Sequence, residues 1–149
     1  MFCEHSGGLD KDCNSCTIVL VKIISDTNIF LAVVLNEPEK DKIIQLTSET
    51  HAVSPEILPY EVGNALTTMV KRKQLTHHEA LSAFDAVSSI PVRLVSVDIR
   101  HALGLAVEYN IYAYDAYFLQ CALHLSCPLI TLDTRMKQVA YDLNIEVLE

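Results

Sequence analysis

Apolar positions change period several times along the 149-residue chain, and each change marks an expected element. Val21–Ser25 is a compact apolar run of strand type, and residues 28–36 directly after it space their apolar positions as a helix does. A second helix is expected over 38–50, with Ile43, Ile44 and Leu46 as its apolar residues. His51–Ser54 reads as a brief strand, and Pro55 suits the first turn of a long helix reaching Lys73. Thr76, three residues before Glu79, forms a capping box that opens a helix to about Ser89. Val92–Val97 is rich in β-formers, Asp98 caps a helix ending near Asn110, and another helix covers 114–126. Pro128–Thr131 is expected as a strand, 134–144 as a helix and Ile145–Leu148 as a last short strand. Strands alternate with helices, no hairpin turn joins two strands, and no internal repeat appears. That alternation predicts an α/β fold, a three-layer α/β/α sandwich around a central parallel sheet.

The length suits one domain, and with 50% hydrophobic and 20% charged residues a two-sided core is within reach. An intrinsically disordered chain is excluded. The most apolar stretch, Thr17–Leu35, is interrupted by Lys22 and Asp26, so no membrane span is expected. Glu4, Asp10 and Asp12 against one lysine do not make a secretory signal, which leaves the cytoplasm as the expected compartment. The five cysteines, an odd number, do not form a disulfide framework, and Cys121 and Cys127 read as thiols packed within helices. Eleven Lys and Arg against nineteen Asp and Glu give a net charge of −8. This excludes a broad basic nucleic-acid coat, but it suits an enzyme that holds metal ions with clustered carboxylates.

Ligands of such sheets bind at the carboxyl ends of the strands. Asp26 ends the first expected strand and Asp133 a late one, so parallel central strands would project both from one sheet edge. Each could equally be a helix N-cap. Asp115 lies in phase with Phe118, Leu119 and Ala122, and Glu61 sits among Leu58, Val62, Ala65 and Met69. A carboxylate beside a core is costly unless it is paired, protonated or bound to metal, and neither has a basic residue at i±3 or i±4. An N-cap role stays open for Asp115. Four carboxylates from four elements can share a pocket only with a cation among them, and all-oxygen donors select Mg²⁺ or Mn²⁺. The chemistry natural to that set is attack of activated water on a phosphodiester.

Asp26-Thr-Asn28, Glu61 within Pro-Tyr-Glu-Val-Gly-Asn-Ala-Leu, Tyr114-Asp115-Ala116 and Thr131-Leu-Asp133 together closely resemble a PIN domain. The flavour is that of a VapC-type toxin of a type II toxin–antitoxin pair, and the resemblance covers 21–149. It implies a ribonuclease dependent on Mg²⁺ or Mn²⁺, with Asp26 and Asp115 as primary metal ligands and Asp133 and Glu61 completing the catalytic acidic site. Asn28 and Thr131 match positions that orient those carboxylates. The implied partners are an RNA substrate, a cognate antitoxin and a second copy in a homodimer, the last two using the region of helices 28–36 and 38–50. Val21 then reads as the natural start of the domain, and residues 1–20 as a disordered tail or an upstream extension. Within that segment Cys3, His5, Cys13 and Cys16 are a weak zinc pattern, having only Cys-x-x-Cys as a standard element.

Basic residues near these acids are few. Lys71-Arg72-Lys73 closes the Glu61 helix, where the helix dipole favours solvated cations. Arg135, one turn after Asp133, is the better candidate to contact an RNA phosphate, or else an exposed arginine with no ligand role. His77 and His78 read as surface residues. Other carboxylate sites fit worse: the position two after Asp26 is Asn28 where a dehalogenase-type phosphatase needs Asp, and no Gly-Lys-Ser/Thr turn forms a P-loop. Two alternatives remain, a non-catalytic PIN-fold binding module and a metal-dependent phosphatase acting on small substrates in a closed pocket.

Overall fold

A computed structural model describes residues 20–149, so the N-terminal reading, with Cys3, His5, Cys13 and Cys16, lies outside the described residues. The chain runs β1 (Val21–Ser25), α1 (Thr27–Val34), α2 (Lys40–Thr47), β2 (Thr50–Pro55), α3 (Leu58–Lys71), α4 (His77–Ser88) and β3 (Arg93–Val95). It continues with α5 (Ile99–Tyr109), α6 (Ala113–Leu125), β4 (Leu129–Ile130) and α7 (Thr134–Asp142). The four strands form one parallel sheet in the order β3-β2-β1-β4. The chain builds outward from β1 through β2 to β3, then returns to the other side of β1 with β4. That reversal opens a crevice at the carboxyl ends of β1 and β4.

The two-residue period of β1 divides the core between the sheet faces. Ile23 packs with Ile29, Ala32, Ile43 and Ile130 on the side of α1 and α2. Ile24, its neighbour, packs with Val53, Phe118, Leu119, Leu129, Met136 and Val139 under α6 and α7. Phe30 and Leu31 extend α1 into a further cluster with Leu58, Val62, Leu66, Ala83 and Val87 of α3 and α4. Their apolar surface is thus largely used within the chain, while Ile44 stays 46% exposed. The α/β/α expectation holds, and no helix among the described residues is long and apolar enough to cross a membrane.

Three boundaries differ from the sequence expectation. Pro55 does not open α3; it is buried at the end of β2, opposite Val95, and the proline in the first turn of α3 is Pro59. β2 ends where β3 stops pairing with it, and the lost N–H of a proline is tolerated at a strand terminus. Ile145–Leu148 is reduced to a single bridge, Val147 to Leu129, because β4 is two residues long and offers no longer ladder. The β-rich run Val92–Val97 contracts to Arg93–Val95, all that β2 pairs.

Candidate active site

Asp26 leaves the buried end of β1 and enters α1, and its side chain is 4% exposed. Its Oδ1 accepts the Thr27 N–H at 2.6 Å and its Oδ2 the Thr131 hydroxyl at 2.8 Å, while the Asn28 amide stands 3.4 Å from Oδ2. The Thr131 oxygen in turn accepts the Asp133 N–H at 3.0 Å, tying the end of β4 to the end of β1. Asp133 caps α7 by accepting the Met136 N–H at 2.6 Å. The capping reading is therefore true of Asp133, and for Asp26 in a one-residue form, and neither role removes the carboxylate from the crevice.

Glu61 lies in the first turn of α3, half-buried, and accepts the Thr27 hydroxyl on Oε2 at 2.8 Å. Thr27 thus grips two carboxylates, one through its N–H and one through its hydroxyl. Sequence reasoning gave Thr27 no role; a hydroxyl residue directly after a strand-end Asp was the available sign. Asp115 is not an N-cap, since Tyr112 takes that position of α6 and Asp115 falls inside the first turn. The residues 110–112 between α5 and α6 set that phase.

Electrostatically Asp26, Glu61 and Asp115 are raised together, with the charge of Asp133 acting on Asp26 and Asp115. Burial pushes Asp26 up to about 6, against the Thr131 and Thr27 hydrogen bonds, and repulsion from Asp115 and Asp133 adds to the rise. Burial also lifts Glu61 to about 7, opposed by its Thr27 bond and helped by the charges of Asp26 and Asp115. Asp115 is raised by burial and by Asp133. Among the described residues no ion pair relieves this, the one present being Lys137–Glu149, at 3.0 Å.

Two open clefts meet at Asp133. One, of about 400 Å³, is lined by Asn110, Ile111, Tyr112, Asp115, Asp133 and Arg135. The other, of about 430 Å³, includes Asn28, Glu37, Arg72, Leu132 and Asp133. Arg135 is exposed but held, donating to the Tyr109 carbonyl at 2.6 Å. Arg72 is the C-cap of α3, as its position suggested, and also lines a cleft, which only the packing of α3 beside α1 could show. Lys71 and Lys73 are exposed, as are His77 and His78. Cys121 is buried and its thiol pushed up to about 11, chiefly by burial and then by the charge of Glu56, as befits a packing residue.

The donors fit a hard divalent cation in kind: they are carboxylate oxygens that repel one another and, among the described residues, form no ion pair. Among the described residues no three or more His, Cys, Asp and Glu side chains stand arranged to hold a metal ion.

Known proteins agree with this architecture. The crystal structure of PAE2754 from Pyrobaculum aerophilum is similar with a TM-score of 0.64 at 23% identity, over 82% of this chain and 87% of that one. VapBC2 from Rickettsia felis, bound to a DNA fragment from their promoter, gives 0.60 at 15% identity, over 86% and 98%. A toxin–antitoxin complex from Klebsiella pneumoniae gives 0.55 at 23% identity, over 75% and 87%. At these identities the likeness is one of fold. No curated protein sequence matches the chain. The PIN domain matches over residues 23–141, from the strand that leads into Asp26 to the helix that Asp133 caps, and the chain belongs to the PIN domain family.

Proposed function

We propose that the chain is a ribonuclease dependent on Mg²⁺ or Mn²⁺, acting as the toxin of a type II toxin–antitoxin pair. The observation that supports the nuclease reading is the mutual repulsion among Asp26, Glu61, Asp115 and Asp133, which no ion pair among the described residues relieves. Asp26 and Asp115, with Asp133 and Glu61 beside them, would hold the ion. When bound, it supplies positive charge to the phosphoryl oxygens and makes water a better nucleophile.

The chain's own residues do the rest. Thr27 and Thr131 fix the carboxylates of Asp26 and Glu61 in place, so that little reorganisation is needed as charge develops. Glu61, bonded through Oε2, leaves Oε1 to position a water or accept its proton. Arg135 and Arg72, in the clefts on either side of Asp133, offer guanidinium groups to successive phosphates of a polymer. Two open clefts suit a strand that passes through, and fit a small substrate in a closed pocket poorly. The antitoxin partner is inferred from the fold shared with toxin–antitoxin complexes.

The test is cleavage of a mixed structured-RNA pool with Mg²⁺ or Mn²⁺, with EDTA, and with Asp115→Asn. Metal-dependent cutting is expected, reduced about a hundredfold or more in the variant, the scale of losing one preorganised electrostatic group. RNA binding without cutting, by wild-type protein with metal demonstrably bound, would favour a non-catalytic binding module. Arrest of growth on induced expression, relieved by Asp115→Asn, tests the toxin role separately.

A further inference from the structure

Tyr112 occupies a position that the fold does not explain. Its backbone is fixed from both sides. Asn110 ends α5 in the left-handed region at φ 51°, and the Ile111 N–H donates to the Ala106 carbonyl at 3.0 Å. The Tyr112 carbonyl then accepts the Ala116 N–H at 3.2 Å, which opens α6. Ile111 packs against the core, while Tyr112 is 82% exposed, the most exposed aromatic side chain among the described residues. It is also the N-cap of α6, where it makes no side-chain bond to the helix. Asp26, Thr76, Asp98 and Asp133 hold that position in α1, α4, α5 and α7, and each accepts a backbone N–H. An N-cap selects a short oxygen-bearing side chain, so a tyrosine there weakens the helix and gains no packing in return.

The residue does line the cleft of about 400 Å³ that holds Asp115, Asp133 and Arg135. It stands three residues before Asp115, a spacing that puts both on one side of the helix. Arg135 is tethered to the Tyr109 carbonyl at 2.6 Å, and its guanidinium keeps further N–H donors for a phosphate. Tyr114 is not equivalent, since its ring meets Tyr117 edge-on with centroids 5.9 Å apart. The cleft thus pairs a free aromatic face with a held cation, beside the acids that would bind the metal ion. We propose that Tyr112 is the platform on which an unpaired base of the RNA stacks, with Arg135 on a phosphate of the same strand. A base inside a duplex has both faces covered, so the ring takes only a base that has left the stack. Every base has such a face, and the larger purine face stacks more strongly, so Tyr112 biases binding toward unpaired purines without reading a sequence. The proposal rests on the reading that RNA passes through this cleft, and not on its being cut there.

Fluorescence anisotropy of labelled oligoadenylate, oligouridylate and a base-free sugar-phosphate oligomer, each of about ten units, reads the binding. It is run on the full chain with Mg²⁺ in an Asp115→Asn background, so that the oligomers survive. Oligoadenylate should bind more tightly than oligouridylate. Tyr112→Ser should weaken oligoadenylate about tenfold, the scale of one lost base stack, and leave the base-free oligomer unchanged. The melting temperature of that variant should hold or rise, because serine caps a helix well. A tyrosine serving only the fold would lose stability together with binding. Tyr112→Trp gives the chain its sole tryptophan, whose fluorescence should be quenched by oligoadenylate and not by the base-free oligomer. Oligoadenylate bound equally with and without Tyr112→Ser would overturn the proposal. So would a loss shared equally by the base-free oligomer, or a tryptophan signal indifferent to oligoadenylate. RNA cutting by the wild-type chain alongside any of these results would leave the ribonuclease reading standing. Failure of every form to bind an oligomer, with the wild type cutting none, would overturn both.

Discussion

Asp26 shows how one side chain can serve the fold and strain it together. Its carboxylate bridges the ends of two strands through Thr131, yet burial and two neighbouring acids hold it at about 6 rather than 3.8. With its pKa above the ordinary value, the folded chain binds that proton more tightly than the unfolded one. The associated stability is full below about pH 4 and is lost as pH rises through about 6, a difference of about 3 kcal/mol. Asp26→Asn, neutral and nearly isosteric, should flatten this part of the pH dependence in thermal unfolding of metal-free protein. It should raise the melting temperature at pH 8 while abolishing RNA cleavage. A variant less stable than wild type at pH 8 would mean the carboxylate's hydrogen bonds outweigh its buried charge. Glu61, lifted to about 7, adds a smaller contribution of the same sign because it is only half-buried.

Among the elements, α4 was the most legible, for a local reason. Thr76 accepts the Glu79 N–H at 3.2 Å and Glu79 reaches back to the Thr76 N–H at 2.7 Å, so the motif closes within four residues. Thr76→Ala should destabilise the protein by about 1 kcal/mol, with Thr76→Ser recovering most of it, as read by urea unfolding. The elements that departed from expectation are those whose limits a neighbour sets. β4 has two residues because that is the stretch β1 pairs, and Pro55 belongs to β2 because Val95 stands opposite. Local propensity contains neither fact.

At the scale of the molecule, the reversal of strand order gathers four acids of a chain with net charge −8 around one crevice. A cation bound there should stabilise the fold by removing their repulsion, and protons should compete with it. The melting temperature should therefore rise on adding Mn²⁺ at pH 8 and much less at pH 5. At a hundred times the dissociation constant, the gain at pH 8 is expected to be about 2.7 kcal/mol. An equal response at both pH values, or one retained in Asp26→Asn, would place the ion elsewhere.

The sequence by itself determined the alternation of strands and helices, the parallel sheet, and the two acids that follow β1 and β4. Those rest on periodicity and capping within short windows, where neighbours along the chain dominate. It also set apart Glu61 and Asp115 as carboxylates beside apolar faces without a basic partner, though it left an N-cap role open for Asp115. Tertiary structure decided that Asp115 lines a cleft with Asp133, that Thr27 links Asp26 to Glu61, and that Arg72 lines a second cleft with Asp133. It also brought the uncovered Tyr112 into the cleft of Asp133 and Arg135. Each of these depends on residues that approach across elements, and periodicity within one element cannot report what stands opposite it.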